Sequence, residues 1–149
     1  EIRFSSDFII GYPGETENDF NQTLELIEKV EFINSYSFVY SSRPGTPASK
    51  LDNVEFKIAK ERLITLQALL EEKNSKYKKS FLAKSTEVLF ENKLDKQNKY
   101  FGRDKFLNSV IVRSNQNLTG QLLDIKIKDF NHNSLFGTTL TNEQSNFAA

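Results

Sequence analysis

Hydrophobic and polar residues follow two different periods along the chain, and the first half mixes strand-like with helix-like spacing. Residues 4–10 form a short, mostly apolar run bounded by Gly11-Tyr12-Pro13-Gly14, which predicts a buried strand ending in a turn. Apolar positions recur with helical spacing over residues 17–31, and residues 35–40 alternate as in a strand. A Pro/Gly loop, Ser41–Ala48, follows. This order of elements predicts part of a parallel α/β architecture.

A long helix is predicted next, over residues 55–80, because apolar residues recur there at every third or fourth position. The apolar stripe consists of Ala59, Leu63, Leu66, Leu70, Tyr77 and Phe81. We therefore expect residues 1–81 to form an α/β domain that ends in a linker helix.

From Ser85 onward the hydrophobic period falls to two, which indicates strands. The alternating segments are residues 85–90, 107–113 and 120–130, and the turn signals are Asn92-Lys93, Asn115-Gln116-Asn117 and Asn131-His132-Asn133. Strands at this spacing predict a small antiparallel β-barrel over residues 82–140, followed by a frayed tail over residues 141–149. If this barrel were truncated, an open sheet edge would expose unpaired backbone groups.

Charge is distributed unevenly, although the formal net charge is zero. Residues 1–81 hold 11 basic and 13 acidic residues, whereas residues 82–140 hold 9 basic and 6 acidic residues. The second half is therefore the better candidate for a polyanionic partner. A solvated Lys-rich surface explains the charge alone equally well.

The chain has no cysteine, which excludes thiolate catalysis and iron–sulfur or zinc–thiolate ligation within it. Its one histidine, His132, cannot build a catalytic triad or a histidine-based metal site. No apolar run is long enough for a bilayer and no signal peptide is apparent, so we expect a cytoplasmic protein. The chain begins with Glu1 and contains no methionine, and we therefore expect it to be a fragment of a longer protein.

Two loops that follow strands carry candidate chemistry. Gly11 and Gly14 let the backbone approach a ligand closely at the carboxyl end of a strand, but an ordinary strand–helix turn has the same spacing. The loop is not a P-loop, because the glycine spacing differs and no lysine follows. Arg43 in the second loop is a bidentate donor for carboxylate or phosphate, and a solvated surface arginine is the alternative.

The predicted barrel carries cations interleaved with aromatic residues, a composition typical of single-stranded nucleic-acid binding. The cations are Lys84, Lys99, Arg103, Lys105, Arg113, Lys126 and Lys128, and the aromatic residues are Tyr100, Phe101 and Phe106. Phenylalanine in a small barrel is more often part of the core, so we expect at most one of these rings to be a stacking platform.

The segments Asp7–Thr16 (DFIIGYPGET) and Phe38–Ala48 (FVYSSRPGTPA) are separated by one helix and one strand. In this order, the two motifs resemble the methylthiotransferase family of radical-SAM enzymes. The predicted barrel resembles a TRAM domain, through Gly102-Arg103, Asn108 and the segment Asn133–Gly137. The resemblance covers nearly the whole chain except its tail. It implies the C-terminal part of a TIM-like radical-SAM barrel followed by an OB-like TRAM barrel.

The Arg-Pro-Gly-Thr-Pro loop is most similar to the type that adds a 2-methylthio group to N(6)-isopentenyladenosine beside the tRNA anticodon. The type acting on threonylcarbamoyl-adenosine and a non-catalytic RNA-binding module are the alternatives, and a type acting on a ribosomal-protein aspartate ranks third because it usually lacks this loop. Ser42 stands where family members often carry Pro or Lys. The family uses S-adenosylmethionine and two [4Fe–4S] clusters, whose cysteines would lie before Glu1, so the resemblance implies that this chain alone is inactive and holds no catalytic residue or metal ligand.

The resemblance also implies roles for individual residues. The residues expected on the S-adenosylmethionine side of the barrel are Ile10, Gly11, Gly14, Glu15 and Arg43. Those expected to contact the tRNA anticodon stem-loop are Lys84, Arg103, Lys105 and Arg113. We expect a monomer, and the sequence does not identify the sulfur donor.

Overall fold

The structure is a computed structural model that describes residues 2–94 and 98–140. Its contacts divide the chain into two compact units, Glu1–Asn74 and Ser75–Ala149. The predicted tail, residues 141–149, lies outside the described residues.

The first unit combines a two-stranded parallel sheet with helices. Strand β1 spans Asp7–Ile10 and pairs in parallel with β2, Tyr36–Val39, while α1 spans Glu17–Val30 between them. A short 3-10 helix, Pro47–Lys50, precedes α2, Phe56–Lys79, and the last turn of α2 belongs to the second unit. The predicted strand–helix–strand order is confirmed, but β1 is shorter than the apolar run 4–10. Only its last four residues are in register with β2.

Local sequence fixes the start of α1. The Thr16 hydroxyl accepts a hydrogen bond from the Asp19 backbone N–H at 3.2 Å, and the Asp19 carboxylate accepts one from the Thr16 N–H at 2.9 Å. This reciprocal capping box satisfies two N–H groups that the helix leaves unpaired. The helix ends at Glu31, whose backbone is left-handed with φ 52°.

The two faces of the small sheet differ in exposure. Phe8 and Ile10 are buried with the inner face of both helices; the core of this unit consists of Phe8, Ile10, Phe20, Ile27, Leu66 and Leu70. The alternate residues Ile9 and Phe38, which are register partners, are 57% and 56% exposed. An apolar sheet face therefore has no cover within the described residues.

The second unit contains a closed five-stranded β-barrel. Its strands are β3 (Ser85–Leu94), β4 (Lys99–Asp104), β5 (Ser109–Arg113), β6 (Leu122–Phe130) and β7 (Leu135–Thr139), in the spatial order β3-β4-β5-β7-β6. The predicted barrel is confirmed, but the expectation of a wholly antiparallel barrel was wrong, because β5 and β7 pair in parallel. This pairing, with that of β3 and β6, closes the sheet, so the described barrel strands leave no open edge of the kind that a truncated barrel would have.

The barrel interior is filled by the inward positions of all five strands. The buried cluster consists of Val88, Phe90, Tyr100, Val110, Val112, Leu118, Ile125, Ile127 and Leu135. Gly102 and Gly137 stand where the strands approach most closely. A Cβ on Gly102 would lie 2.5 Å from the Leu89 carbonyl oxygen, and one on Gly137 would lie 2.5 Å from Ile125 Cγ2. Both positions therefore require glycine on steric grounds.

One predicted turn was wrong. Asn92-Lys93 lies within β3, where the register with β4 shifts between Phe90 and Asn92, which indicates a β-bulge. The bulge admits a turn-forming residue without ending the strand. The asparagine-rich segments 115–117 and 131–133 do separate strands, as predicted.

Candidate functional site

The loop after β1 is held by hydrogen bonds that begin and end within it. The Gly11 N–H donates to the Glu15 carboxylate at 3.0 Å, and the Glu15 N–H donates to the Tyr12 carbonyl at 2.9 Å. Gly11 has φ 73°, and a Cβ there would lie 2.6 Å from the Ala59 Cβ. Gly11 therefore lets the loop pack against α2, a contact that any larger residue would prevent.

Arg62 of α2 anchors this loop, and the sequence patterns did not identify it. Its guanidinium donates to the Glu15 carboxylate at 2.7 Å, to the Glu15 carbonyl at 3.2 Å and to the Glu17 carboxylate at 2.9 Å. Its side chain is only 9% exposed, and it lies over the Phe20 ring. The available signal was position, because Arg62 is a charged residue three positions after Ala59 and four before Leu66 on the apolar stripe.

Charge compensation explains how Arg62 tolerates burial. Burial by itself lowers the pKa of Arg62, but its hydrogen bonds to Glu17 and Glu15 outweigh that effect and raise the pKa above its ordinary value. Arg62 therefore stays charged under all ordinary conditions, and its fork-shaped guanidinium binds one carboxylate of the loop, Glu15, and one in the first turn of α1, Glu17.

The structure brings together only some of the residues expected near a cofactor. Gly11 and Glu15 are hydrogen-bonded to each other, whereas Gly14 is exposed, with φ 87° and open space where a Cβ would stand. The Ile10 side chain is 2% exposed and belongs to the core, so only its backbone faces the loop. Arg43 is exposed on the second loop, where its carbonyl accepts a hydrogen bond from the Thr46 hydroxyl at 2.8 Å.

The two loops leave the same edge of the sheet. Ile10 and Val39 are register partners at the carboxyl ends of β1 and β2, and the Tyr40 N–H donates to the Ile10 carbonyl at 2.8 Å. Beyond them, the rings of Tyr12 and Tyr40 meet edge to face with centroids 5.2 Å apart. In parallel α/β folds this is the edge at which ligands bind.

The four cations expected to contact RNA are all exposed in the second unit. Lys84 immediately precedes β3, Arg103 lies on β4, Lys105 follows β4, and Arg113 ends β5. Arg103 forms an ion pair with Glu91 at 3.0 Å and lies 5.4 Å from the centroid of Phe101. Lys105 lies 4.9 Å from the centroid of Phe106.

A buried polar network fixes the loop that joins β4 to β5. The Asp104 carboxylate is 3% exposed and accepts hydrogen bonds from the backbone N–H groups of Phe106 and Asn108 and from the Asn108 side chain, each at 2.9 Å. The Asn108 amide also donates to the Tyr77 hydroxyl at 2.9 Å. Burial of a carboxylate is tolerated here because its oxygens are hydrogen-bonded. Lys105 is therefore presented on a rigid loop.

Two further features are absent from the part of the chain that the structure describes. Residues 2–94 and 98–140 contain no cluster of three or more histidine or acidic side chains arranged to hold a metal ion. Within the same ranges, neither helix combines the length and apolarity that a bilayer-spanning segment requires.

No protein-family model matches the chain. Curated proteins do match it: it is 50% identical over 137 residues to the tRNA-2-methylthio-N(6)-dimethylallyladenosine synthase of Pelagibacter ubique, an alignment that covers 92% of this chain and 31% of that protein. The proteins of the same name from Buchnera aphidicola and Wolbachia pipientis wMel are 45% and 40% identical, over 92% of this chain in each case. The chain spans about a third of the length of these relatives. By this similarity, the chain belongs to the family of the tRNA-2-methylthio-N(6)-dimethylallyladenosine synthases and corresponds to one third of such a protein.

Proposed function

We propose that this chain is part of a transferase that adds a 2-methylthio group to N(6)-isopentenyladenosine beside the anticodon of tRNA. One observation carries the proposal, namely 50% identity over 92% of the chain to a synthase of that name. The two strand-exit motifs favour the isopentenyl type over the threonylcarbamoyl type. In this proposal the chain contributes positioning of cofactor and substrate, and the remainder of the full-length enzyme contributes the radical chemistry.

The first unit is proposed to be part of a radical-SAM barrel, with residues 1–81 as its C-terminal portion and linker helix. Its parallel strand pair supports this role, because both candidate loops leave the carboxyl edge where barrel enzymes bind their ligands. The exposed residues Ile9 and Phe38 also support it, since an apolar sheet face is normally covered by further structure.

The loop Gly11–Glu15 is proposed to face S-adenosylmethionine. The Gly14 backbone suits close approach, because open space surrounds the position where a Cβ would stand. Arg62 occupies the Glu15 carboxylate, so Glu15 holds the loop in place rather than reaching a ligand itself. The residues present do not fit the iron–sulfur clusters of the family, because a chain without cysteine supplies no thiolate ligand.

Residues 82–140, which contain the barrel strands, are proposed to form a TRAM-like module that contacts the anticodon stem-loop. Lys84, Arg103, Lys105 and Arg113 are exposed on it, and cations of this kind bind RNA phosphates. In this proposal, the anticodon stem-loop is the polyanionic partner of the lysine-rich surface of the barrel.

A chimera tests the proposed reaction. Residues 7–140 would replace the corresponding third of the Pelagibacter ubique synthase, and nucleosides from digested tRNA would be quantified by mass spectrometry. The expected product is the 2-methylthio derivative of N(6)-isopentenyladenosine. A chimera that is folded and loaded with its clusters, yet leaves only the unmodified isopentenyl nucleoside, would contradict the proposal. The isolated 149-residue chain is expected to release no 5′-deoxyadenosine from S-adenosylmethionine.

A single cation tests the proposed RNA contact. Arg103→Ala is expected to weaken binding of an anticodon stem-loop RNA and to reduce the slope of log affinity against log salt by about one unit, the value for one lost phosphate contact. The control is Lys60→Ala, which removes one positive charge at an exposed position of α2. It should leave the slope of log affinity against log salt unchanged. Equal slopes for Arg103→Ala and the parent chain would rule out this role for Arg103.

A further inference from the structure

The outer surface of the barrel carries one row of apolar side chains that crosses three neighbouring strands. Phe101 on β4 is the register partner of Ile111 on β5, and Ile111 is the register partner of Phe136 on β7. All three are half-buried, and they alternate along their strands with the core residues Tyr100, Val110 and Leu135. Since successive residues of a strand point to opposite faces, the row lies on the outside of the barrel.

Cations flank this row on both sides. Lys99 and Arg113 are register partners on one side of it, and Arg103 lies beside Ser109 on the other. Like charges directly opposite each other on a sheet destabilise it. Within residues 2–94 and 98–140, no acidic group lies at ion-pair distance from Lys99 or Arg113. An anion bound between them would relieve the repulsion.

Arg103 forms a cation–π contact with Phe101 of the row. The Arg103 guanidinium lies 5.4 Å from the Phe101 ring centroid, and it also forms an ion pair with Glu91 of β3. Flat guanidinium and aromatic groups are the surfaces on which unstacked bases stack. The row therefore presents phenylalanines on its two outer strands, β4 and β7, with cations on both sides of it.

We propose that Phe101 and Phe136 form a stacking platform for unpaired bases of RNA, with Lys99 and Arg113 binding the adjoining phosphates. The proposal rests on the proposed function and deepens it, because it specifies single-stranded loop nucleotides rather than a paired stem as what the barrel recognises. Charge complementarity favours this occupant. A protein surface would satisfy the apolar row but would leave Lys99 and Arg113 opposite each other without a compensating anion, unless it were acidic.

Two RNA probes and two pairs of variants test the platform on the 149-residue chain. The probes are a hairpin with a seven-nucleotide loop and a duplex of equal length without unpaired bases. Phe101→Leu and Phe136→Leu are each expected to weaken hairpin binding about tenfold, the effect of losing one base–aromatic stack, with an unchanged salt slope. Leu122→Ala is the control for Ile111→Ala. It removes an exposed aliphatic side chain from β6 and should leave hairpin binding unchanged. The melting temperature of each variant checks that it is folded.

Each outcome bears on one proposal or the other. Hairpin binding that exceeds duplex binding and falls in the two phenylalanine variants supports the platform. Hairpin and duplex binding of equal strength, unaffected by folded phenylalanine variants, overturns the platform but leaves the phosphate contacts intact. Binding of neither RNA overturns the platform together with the proposed RNA contact. Binding of an acidic peptide at this row in place of RNA would also overturn it.

Discussion

The two units solve the problem of stabilising a small sheet in opposite ways. The barrel closes its five strands on each other and fills its interior with side chains that are almost fully buried. The two-stranded sheet of the first unit pairs only β1 with β2, and it leaves Ile9 and Phe38 more than half exposed. A two-stranded sheet is marginal without further cover, whereas a closed barrel has no edge to protect. The barrel is therefore stabilised by its own closure and core, whereas the first unit depends on additional contacts such as those of Arg62.

The largest loss of stability is expected from a substitution in the barrel core. Phe90 is fully buried in the barrel core, and Phe90→Ala is expected to lower the free energy of unfolding by about 3–5 kcal/mol through lost burial and a cavity. Denaturant-induced unfolding measures the loss in the free energy of unfolding, and amide exchange measures it separately in each unit. The neighbouring Leu89→Ala is the control, since Leu89 is 49% exposed and should cost far less. Equal losses in both units would show that the barrel is not an independent folding unit.

The next effect tests the anchor of the first unit. Arg62→Met keeps most of the side-chain stem but leaves Glu15, which is 12% exposed, without its charged partner. We expect a loss of about 2–3 kcal/mol, less than for a fully buried pair because Glu17 is 71% exposed and screened by solvent. The Gly11 amide, which donates to Glu15, should exchange faster with solvent. Lys60→Met, at an exposed position of the same helix, controls for lost charge, and unchanged Gly11 exchange in Arg62→Met would refute the anchoring role.

A smaller effect concerns the start of α1 and depends on pH. Thr16→Ala removes the capping hydroxyl and is expected to cost about 1 kcal/mol near neutral pH. Side-chain and backbone hydrogen bonds from Thr16 lower the pKa of Asp19 below its ordinary value of 3.8. A carboxylate with a lowered pKa stabilises the folded state above its ordinary value, and that contribution is lost as the pH falls through the folded-state value. The difference in stability between parent and variant should therefore shrink below about pH 4 in an acid titration; a difference independent of pH would contradict this coupling.

The smallest effect is a change in the affinity of the barrel for RNA. Glu91 pairs with Arg103 on the surface, where both side chains are nearly half exposed. Glu91→Gln should release Arg103 toward phosphate and raise affinity for the hairpin RNA about twofold to threefold at low salt, which is the range for a surface ion pair. Glu87→Gln makes the same charge change on the same strand and measures the general effect of net charge. Equal gains in the two variants would exclude a specific competition at Arg103.

Much of the fold could be predicted because its signals are local. Thr16 and Asp19 stand at capping spacing, and α1 begins where they predict. Alternation in the second half identified β3, β5 and β6, but it did not predict β4 or β7. The two strand-exit loops were also recognisable from Gly11, Gly14 and Arg43. Whether those residues bind S-adenosylmethionine stays a prediction.

Other features depended on partners that are distant along the chain. Arg62 looks like an exception on an apolar stripe, and only folding places it beside Glu15 and Glu17, 45 or more residues away. Asn92 looks like a turn residue, but pairing with β4 absorbs it in a bulge. Sequence spacing contains no information about which strand will be opposite such a residue.

The sequence by itself determined the two helices, three of the five barrel strands and the absence of any cysteine ligand. These follow from interactions between residues a few positions apart and from composition. Only the tertiary structure decided that β5 and β7 pair in parallel and that the barrel closes. That pairing also brings Phe136 beside Ile111 and so into one row with Phe101, because strand register is set by the packing of a shared core and not by any single strand.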